Sequence, residues 1–278
     1  MLKNLLVHIP SERPIRPVVD AAISLAVSHA ARLRAISVGY ETTNVALPID
    51  AGGAAAAAVF EIERERALAR ANAALSIFEI EARNAGIAYD FQAMASVPAD
   101  AAASVIALAR LHDLTIVQQP EPERQTFDNV MPQEMLFESG GPVLFVPYVH
   151  KGPLEANRIG IAWDGSRLAA RALRDAEPFL ARAQTITIIS INEIRAPAEA
   201  SAKAVSAHLA RYGATVRIQQ MEADRADIQP SILSIAADDG LDLIVMGGYG
   251  HSRLQERILG GVTRGMIQSM TVPTLMSH

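Results

Sequence analysis

The chain has 278 residues, half of them hydrophobic and 20% charged, with a formal net charge of −5 and no cysteine. That length accommodates two domains of ordinary size, and so apolar a composition argues against extensive disorder. An acidic balance without a long basic run disfavours nucleic acid and anionic membranes as partners, and the missing thiols exclude disulfides, thiolate zinc sites and cysteine nucleophiles.

The run Met1–Ile9 is too brief for the apolar region and cleavage site of a signal peptide. No stretch supplies the roughly 20 uncharged apolar residues of a transmembrane helix, so a cytoplasmic protein is expected. Hydrophobic periodicity predicts a strand at Asn4–Ile9, a helix at about Ile15–Leu33 and a strand at Arg34–Gly39, the pattern of parallel βαβ winding. After a loop with Pro48, Gly52 and Gly53 comes an Ala-rich helix at about Ala54–Asn84, whose Leu68, Leu75 and Phe78 recur at spacings of seven and three. A strand at Ala88–Ala95, a helix at about Ala99–Leu111 and a strand at Asp113–Gln118 follow. A helical segment at Met135–Ser139, ended by Gly140 and Gly141, leads to a strand at Pro142–Val146.

Lys151–Asn157 reads as a polar linker, after which the order repeats. Strands are predicted at Arg158–Trp163, Thr185–Ile191, Thr215–Met221, Leu241–Met246 and Pro273–Met276. Helices fall between them at about Ser166–Ala183, Ala198–Tyr212, Ile228–Asp239 and Val262–Met270. His112–Val117 (HDLTIV) echoes Leu241–Met246 (LDLIVM), and Gly141–Val146 echoes Val272–Met276. The expectation is two α/β domains, 1–150 and 151–278, each a mostly parallel five-stranded sheet with helices on both faces.

The run from Leu241 to Gly250 (LDLIVMGGYG) reads as a buried strand entering a glycine loop, and Gly260 and Gly261 precede a helix beginning near Val262. Gly247 and Gly250 can turn the chain with positive φ, and Gly260 and Gly261 let backbone approach a ligand closely. A strand, glycine loop and helix start in that order present N–H groups to a phosphate. The loop also lies beyond the carboxyl end of a strand, where ligands bind on such sheets.

The spacing Gly247-x-x-Gly250, nine residues, then Gly260, Gly261, Val262 and Thr263 resembles the phosphate and ribose loop of the universal stress proteins. The resemblance covers nearly the whole chain as a tandem pair, and the ending Thr271–His278 is similar to bacterial members. One position departs from the pattern: Gly261 stands where most nucleotide-binding members have Ser or Thr, so a hydroxyl donor is missing while the backbone N–H remains.

The resemblance implies two Rossmann-like domains paired about a pseudo-two-fold through their last strands, giving an internal pseudo-dimer and leaving a further homodimer open. It implies a cytoplasmic regulatory protein of stress tolerance binding one adenine nucleotide, ATP or AMP, with Mg²⁺ an option beside ATP. Backbone N–H groups around Gly248–Gly250 and Gly261–Thr263 would hold phosphates, and the Thr263 hydroxyl would point to ribose or phosphate. Asp164 and Ile191 carry over as the base-side residues, although Asp164 and Ser166 also suit capping of the next helix. The protein partner is unknown. A non-binding interaction protein with a vestigial site and a slow ATPase are the alternatives.

His251, Arg253, Arg257 and Arg264 could screen phosphate charge, or form a solvated surface. In the first half, Gln118–Arg124 has no glycine and carries Glu121 and Glu123 where phosphates would lie, and Pro10 aligns with Asp164. An empty or repurposed first site is therefore expected. The seven histidines show no metal-ligand spacing, and neither a nucleophile elbow nor an acid–base pair is present, so no metal site and no catalytic residue is predicted.

Overall fold

The computed structural model describes residues 1–41, 53–192, 197–248 and 261–278. The first half contains strands β1 (Asn4–Ile9), β2 (Arg32–Tyr40), β3 (Tyr89–Ser96), β4 (Leu114–Gln118) and β5 (Val143–Val146). Its helices are α1 (Arg16–His29), α2 (Gly53–Asn84), α3 (Pro98–Ala109) and α4 (Met131–Glu138). The second half repeats them as β6 (Arg158–Ala162), β7 (Thr185–Ile191), β8 (Thr215–Met221), β9 (Leu243–Gly247) and β10 (Thr274–Ser277). Its helices are α5 (Arg167–Asp175), α6 (Glu177–Leu180), α7 (Ala202–Leu209), α8 (Ile228–Asp238) and α9 (Val262–Ser269).

The ten strands of the described residues form one sheet in the order β3-β2-β1-β4-β5-β10-β9-β6-β7-β8. The order reads the same from either edge once the halves are matched, so a pseudo-two-fold passes between β5 and β10. That central pair is antiparallel, with Thr274 opposite Phe145 and Met276 opposite Val143, and every other pair is parallel. Each half thereby covers the other's β5-type edge, which would otherwise offer unpaired backbone groups.

The strands are apolar along their length because both faces are covered. Side chains alternate between two continuous cores, with Leu5, Val7, Ile9, Leu243 and Val245 on one face and Leu6, Ile244 and Met246 on the other. Helices α1, α2, α5, α6 and α7 cover the first face, and α3, α4, α8 and α9 the second. Both cores run through both halves.

Element ends differ from expectation for identifiable reasons. α1 stops at His29, not Leu33, because Ala30 turns left-handed (φ 49°) and Ala31 N–H closes onto Ala26 O, which lets β2 begin at Arg32. The single helix expected at Ser166–Ala183 is two, α5 and α6, broken where Pro178 supplies no N–H. The Ala198–Tyr212 helix is reduced to α7 between short 3₁₀ turns, since the Ser201 hydroxyl caps at Ala204 N–H (3.3 Å). A 3₁₀ turn at Phe127–Asn129 ahead of α4 has no counterpart in the periodicity, and of the three residues that spacing marks in α2, Leu75 and Phe78 are buried in the core while Leu68 is exposed and the buried positions beside it are Ala67 and Ala71.

Candidate functional site

In each half the winding reverses beside the first strand, between β1 and β4 and again between β6 and β9. Beyond the carboxyl ends of β6, β7 and β9 the second half opens a cavity of about 790 Å³. That is a common size for a small-molecule site. Ile189, Ile191, Ile228, Ile232 and Met246 give it apolar walls, while Asp164, Asn192, Glu222, Arg225 and Thr263 supply polar groups.

The turn after β6 is built by Gly165, whose φ of 73° suits a residue without a side chain. It sets the Asp164 Oδ1 to accept from Ser166 N–H (2.9 Å), and the Ser166 hydroxyl to accept from Ala169 N–H (3.1 Å) as the cap of α5. Capping therefore falls to Ser166, and Asp164 stays exposed at the cavity rim.

Six of the nine residues nominated from sequence line this cavity: Asp164, Ile191, Gly247, Gly261, Val262 and Thr263. Gly250 and Gly260, with His251, Arg253 and Arg257, lie outside the described residues. Arg264 is exposed on the first turn of α9 and is not among the lining residues.

Two expectations about the glycines need correction. Gly247 does not turn the chain with positive φ; it ends β9, and a Cβ there would lie 2.7 Å from the Leu168 carbonyl carbon, so close approach of α5 is what requires glycine. Gly248 cannot offer its N–H to a phosphate, because that group donates to Ser277 O (2.8 Å) and continues the ladder to β10. The helix expected near Val262 begins there: Gly261 is the N-cap in an extended conformation (φ −69°, ψ 154°) with no side chain of its own to cap the helix, and buried Thr263 follows.

Sequence reasoning missed the third wall, from the end of β8. Asn192, left-handed at φ 61°, donates through Nδ2 to Ala223 O (2.8 Å) and accepts at Oδ1 from Ala223 N–H (3.0 Å). This clamp holds the segment bearing Glu222 and Arg225 beside β7. Trp163 was also missed as a wall; its Nε1–H donates to Ala200 O (2.7 Å), and it is the chain's single tryptophan. The signals available were weak: one unusual residue, and an Asn at a strand end.

The matching region of the first half is filled. Sheet register equates His8 with Ala162, Pro10 with Asp164, Val38 with Ile191, and Gln118 and Gln119 with Gly247 and Gly248. The Ser11 hydroxyl donates to Val38 O, and Arg13, only 6% exposed, donates from Nη1 to Gln119 O (2.7 Å). Asp128, fully buried on the 3₁₀ turn, accepts from Glu12 N–H (3.0 Å) and lies 4.0 Å from His8 Nε2. Burial, more than the Arg13 charge, pulls the His8 imidazole down to about 3. Burial likewise pushes the Asp128 carboxyl up to about 6 against its bond from Glu12 N–H and the Arg13 charge. Desolvation and the Asp128 carboxylate both raise Tyr40.

Among the described residues there is no group of three or more His, Asp or Glu side chains able to hold a metal, and no helix long and apolar enough to cross a membrane.

The sequence profile of the Universal stress protein family matches residues 155–278. Universal stress protein MJ0577 of Methanocaldococcus jannaschii is 42% identical over 45 residues, which is 16% of this chain and 28% of that protein. Among solved structures, a universal stress protein from Archaeoglobus fulgidus superposes with a TM-score of 0.73 at 17% identity, covering 98% of this chain and 95% of its own. The functionally unknown protein PA1789 from Pseudomonas aeruginosa superposes at 0.60 with 16% identity, covering 99% of this chain and 92% of its own. Residues 155–278 thus match the profile of the Universal stress protein family, and the chain as a whole shares the fold of the Archaeoglobus fulgidus protein.

Proposed function

We propose that the chain is a cytoplasmic stress-response regulator that binds one adenine nucleotide, ATP or AMP, in the cavity of a second domain spanning 151–278. The first domain, 1–150, carries a degenerate site. The observation behind this reading is convergence: residues nominated separately, from the loop spacing and from the base-side carry-over, line one cavity. Its isoleucine walls suit a flat base, Asp164 stands just beyond the end of β6 and Ile191 at the end of β7, and the start of α9 meets the phosphates. The lining carboxylates are Asp164 and Glu222, so Mg²⁺ would arrive on the phosphates of ATP. Occupancy would shift the population of surface states read by a protein partner, which makes the site regulatory rather than catalytic.

Gly261 favours the other reading, an interaction protein with a vestigial site, because it removes a hydroxyl from the phosphate end. Trp163 separates the two. Titration of the protein with AMP and with ATP should give a saturable change in tryptophan fluorescence and a rise in Tm; neither response at millimolar nucleotide would leave the vestigial reading standing.

A further inference from the structure

The N-terminal half touches the cavity's glycine corner through α4. Leu136 is buried (1% exposed), and a Cβ on Gly248 would come 3.0 Å from its Cδ2. The next residue, Phe137, meets the His278 ring edge-on with centroids 5.1 Å apart, and His278 Nδ1 lies 3.0 Å from Gly248 O. With Gly248 N–H bonded to Ser277 O, both backbone polar groups of this glycine are engaged, and α4 backs them through Leu136 and Phe137. Gly247, the preceding residue, lines the cavity.

The far end of α4 is equally fixed. It follows directly on the 3₁₀ turn whose Asp128 holds Glu12 N–H, and whose Asp128 carbonyl accepts from Arg13 Nη2 (3.4 Å). Asn129 on the same turn accepts from Glu121 N–H (2.8 Å) and donates to Glu121 O (2.9 Å). The two halves therefore secure the same strand end by different means. In the first half the carbonyl of Gln119 takes its own Arg13; in the second the carbonyl of Gly248 takes His278, itself held by a helix from across the pseudo-two-fold.

We propose that α4 is a positioning helix for the ligand cavity. The buried polar cluster of the first half fixes it, and through Leu136 and the Phe137–His278 pair it sets the backbone at Gly247–Gly248. The filled half thereby tunes ligand affinity in the open half without taking a ligand itself. The affinity part rests on the reading of the cavity as an adenine-nucleotide site; the backbone part does not.

The test compares Leu136→Ala, Leu136→Met and Val18→Ala, the last removing core volume from α1 on the opposite face of the sheet. Three readouts are needed: Kd for AMP and ATP, hydrogen exchange at the Gly248 amide, and Tm. Leu136→Ala should weaken binding about fivefold and speed exchange at Gly248, and Leu136→Met should restore both. Val18→Ala should lower Tm by a similar amount and leave Kd and Gly248 exchange as in the wild type. Equal effects of Leu136→Ala and Val18→Ala on Kd and exchange would overturn the proposal. A wild type that binds no nucleotide would overturn the affinity part together with the nucleotide reading, while exchange at Gly248 would still decide the backbone part.

Discussion

Asp113 and Asp242 stand at the same place in the two halves, each accepting two successive backbone N–H groups that open its half's first strand. Asp113 Oδ2 takes Lys3 (2.7 Å) and Asn4 (2.8 Å), and Asp242 takes Asn157 through Oδ2 and Arg158 through Oδ1, both at 2.9 Å. The clamp ties β1 to β4 and β6 to β9, the pairs that flank the point where the winding reverses. Asp113 is exposed and Asp242 half-buried.

Asp242→Ala should therefore destabilise more than Asp113→Ala. Two backbone N–H groups lose a charged acceptor in the half-buried case, a cost of about 1–3 kcal/mol. Water replaces the carboxylate more readily at the exposed site. Thermal and denaturant unfolding of the two variants measures the order, and a larger loss at Asp113 would contradict it.

Gly261 occupies an N-cap whose φ of −69° any residue adopts. Gly261→Ser should change stability by only about a few tenths of a kcal/mol, since Gly and Ser are close at this position. A serine oxygen can accept from a helix N–H while its hydrogen goes to a phosphate. Affinity for ATP should therefore tighten about tenfold, the value of roughly one charged hydrogen bond. Unchanged or weaker binding by calorimetry would remove Gly261 from the phosphate end.

The buried pair His8 and Asp128 gives stability an unusual dependence on pH. Asp128 titrates near 6 in the folded state, above its ordinary 3.8, so the fold binds the extra proton between those values and this contribution to stability falls as pH rises through them. His8 is lowered to about 3 from 6.5, so the unfolded chain binds its proton first and this contribution rises with pH over the same interval. Between about pH 4 and 6 the two slopes oppose each other and nearly cancel. Asp128→Asn should leave the His8 slope exposed, at most about 1.4 kcal/mol per pH unit. Stability of the variant should then fall more steeply on acidification through that range than that of the wild type; parallel profiles would contradict the burial of these groups as paired opponents.

Most of the architecture was legible because strands covered on both faces read as apolar runs, as at Leu243–Met246, and because the duplicated order leaves few topologies. Helix ends were less legible. Nothing in Ala30 announces a left-handed turn, and the exposed Leu68 matched a spacing that the smaller Ala67 and Ala71 satisfy in the fold. At the site, local chain order nominated Asp164, on the turn after β6, and Gly261–Thr263, at the start of α9, and these residues line the cavity. Glu222 and Arg225 reach the same cavity only through the placement of β8 and the Asn192 clamp. The role of Gly248 is set by β10 and by a helix from the other half, and the cluster of His8, Arg13 and Asp128 joins segments far apart in the chain.

Calorimetric titration of the 278-residue chain with AMP and ATP addresses the cavity most directly. One equivalent of nucleotide should bind per chain, with about tenfold weaker binding in Asp164→Ala and in Thr263→Ala, each removing one charged or phosphate-directed hydrogen bond. Two equivalents would contradict the closed first half. No heat at millimolar nucleotide, or full affinity in both variants, would contradict the assignment of this cavity as the nucleotide site.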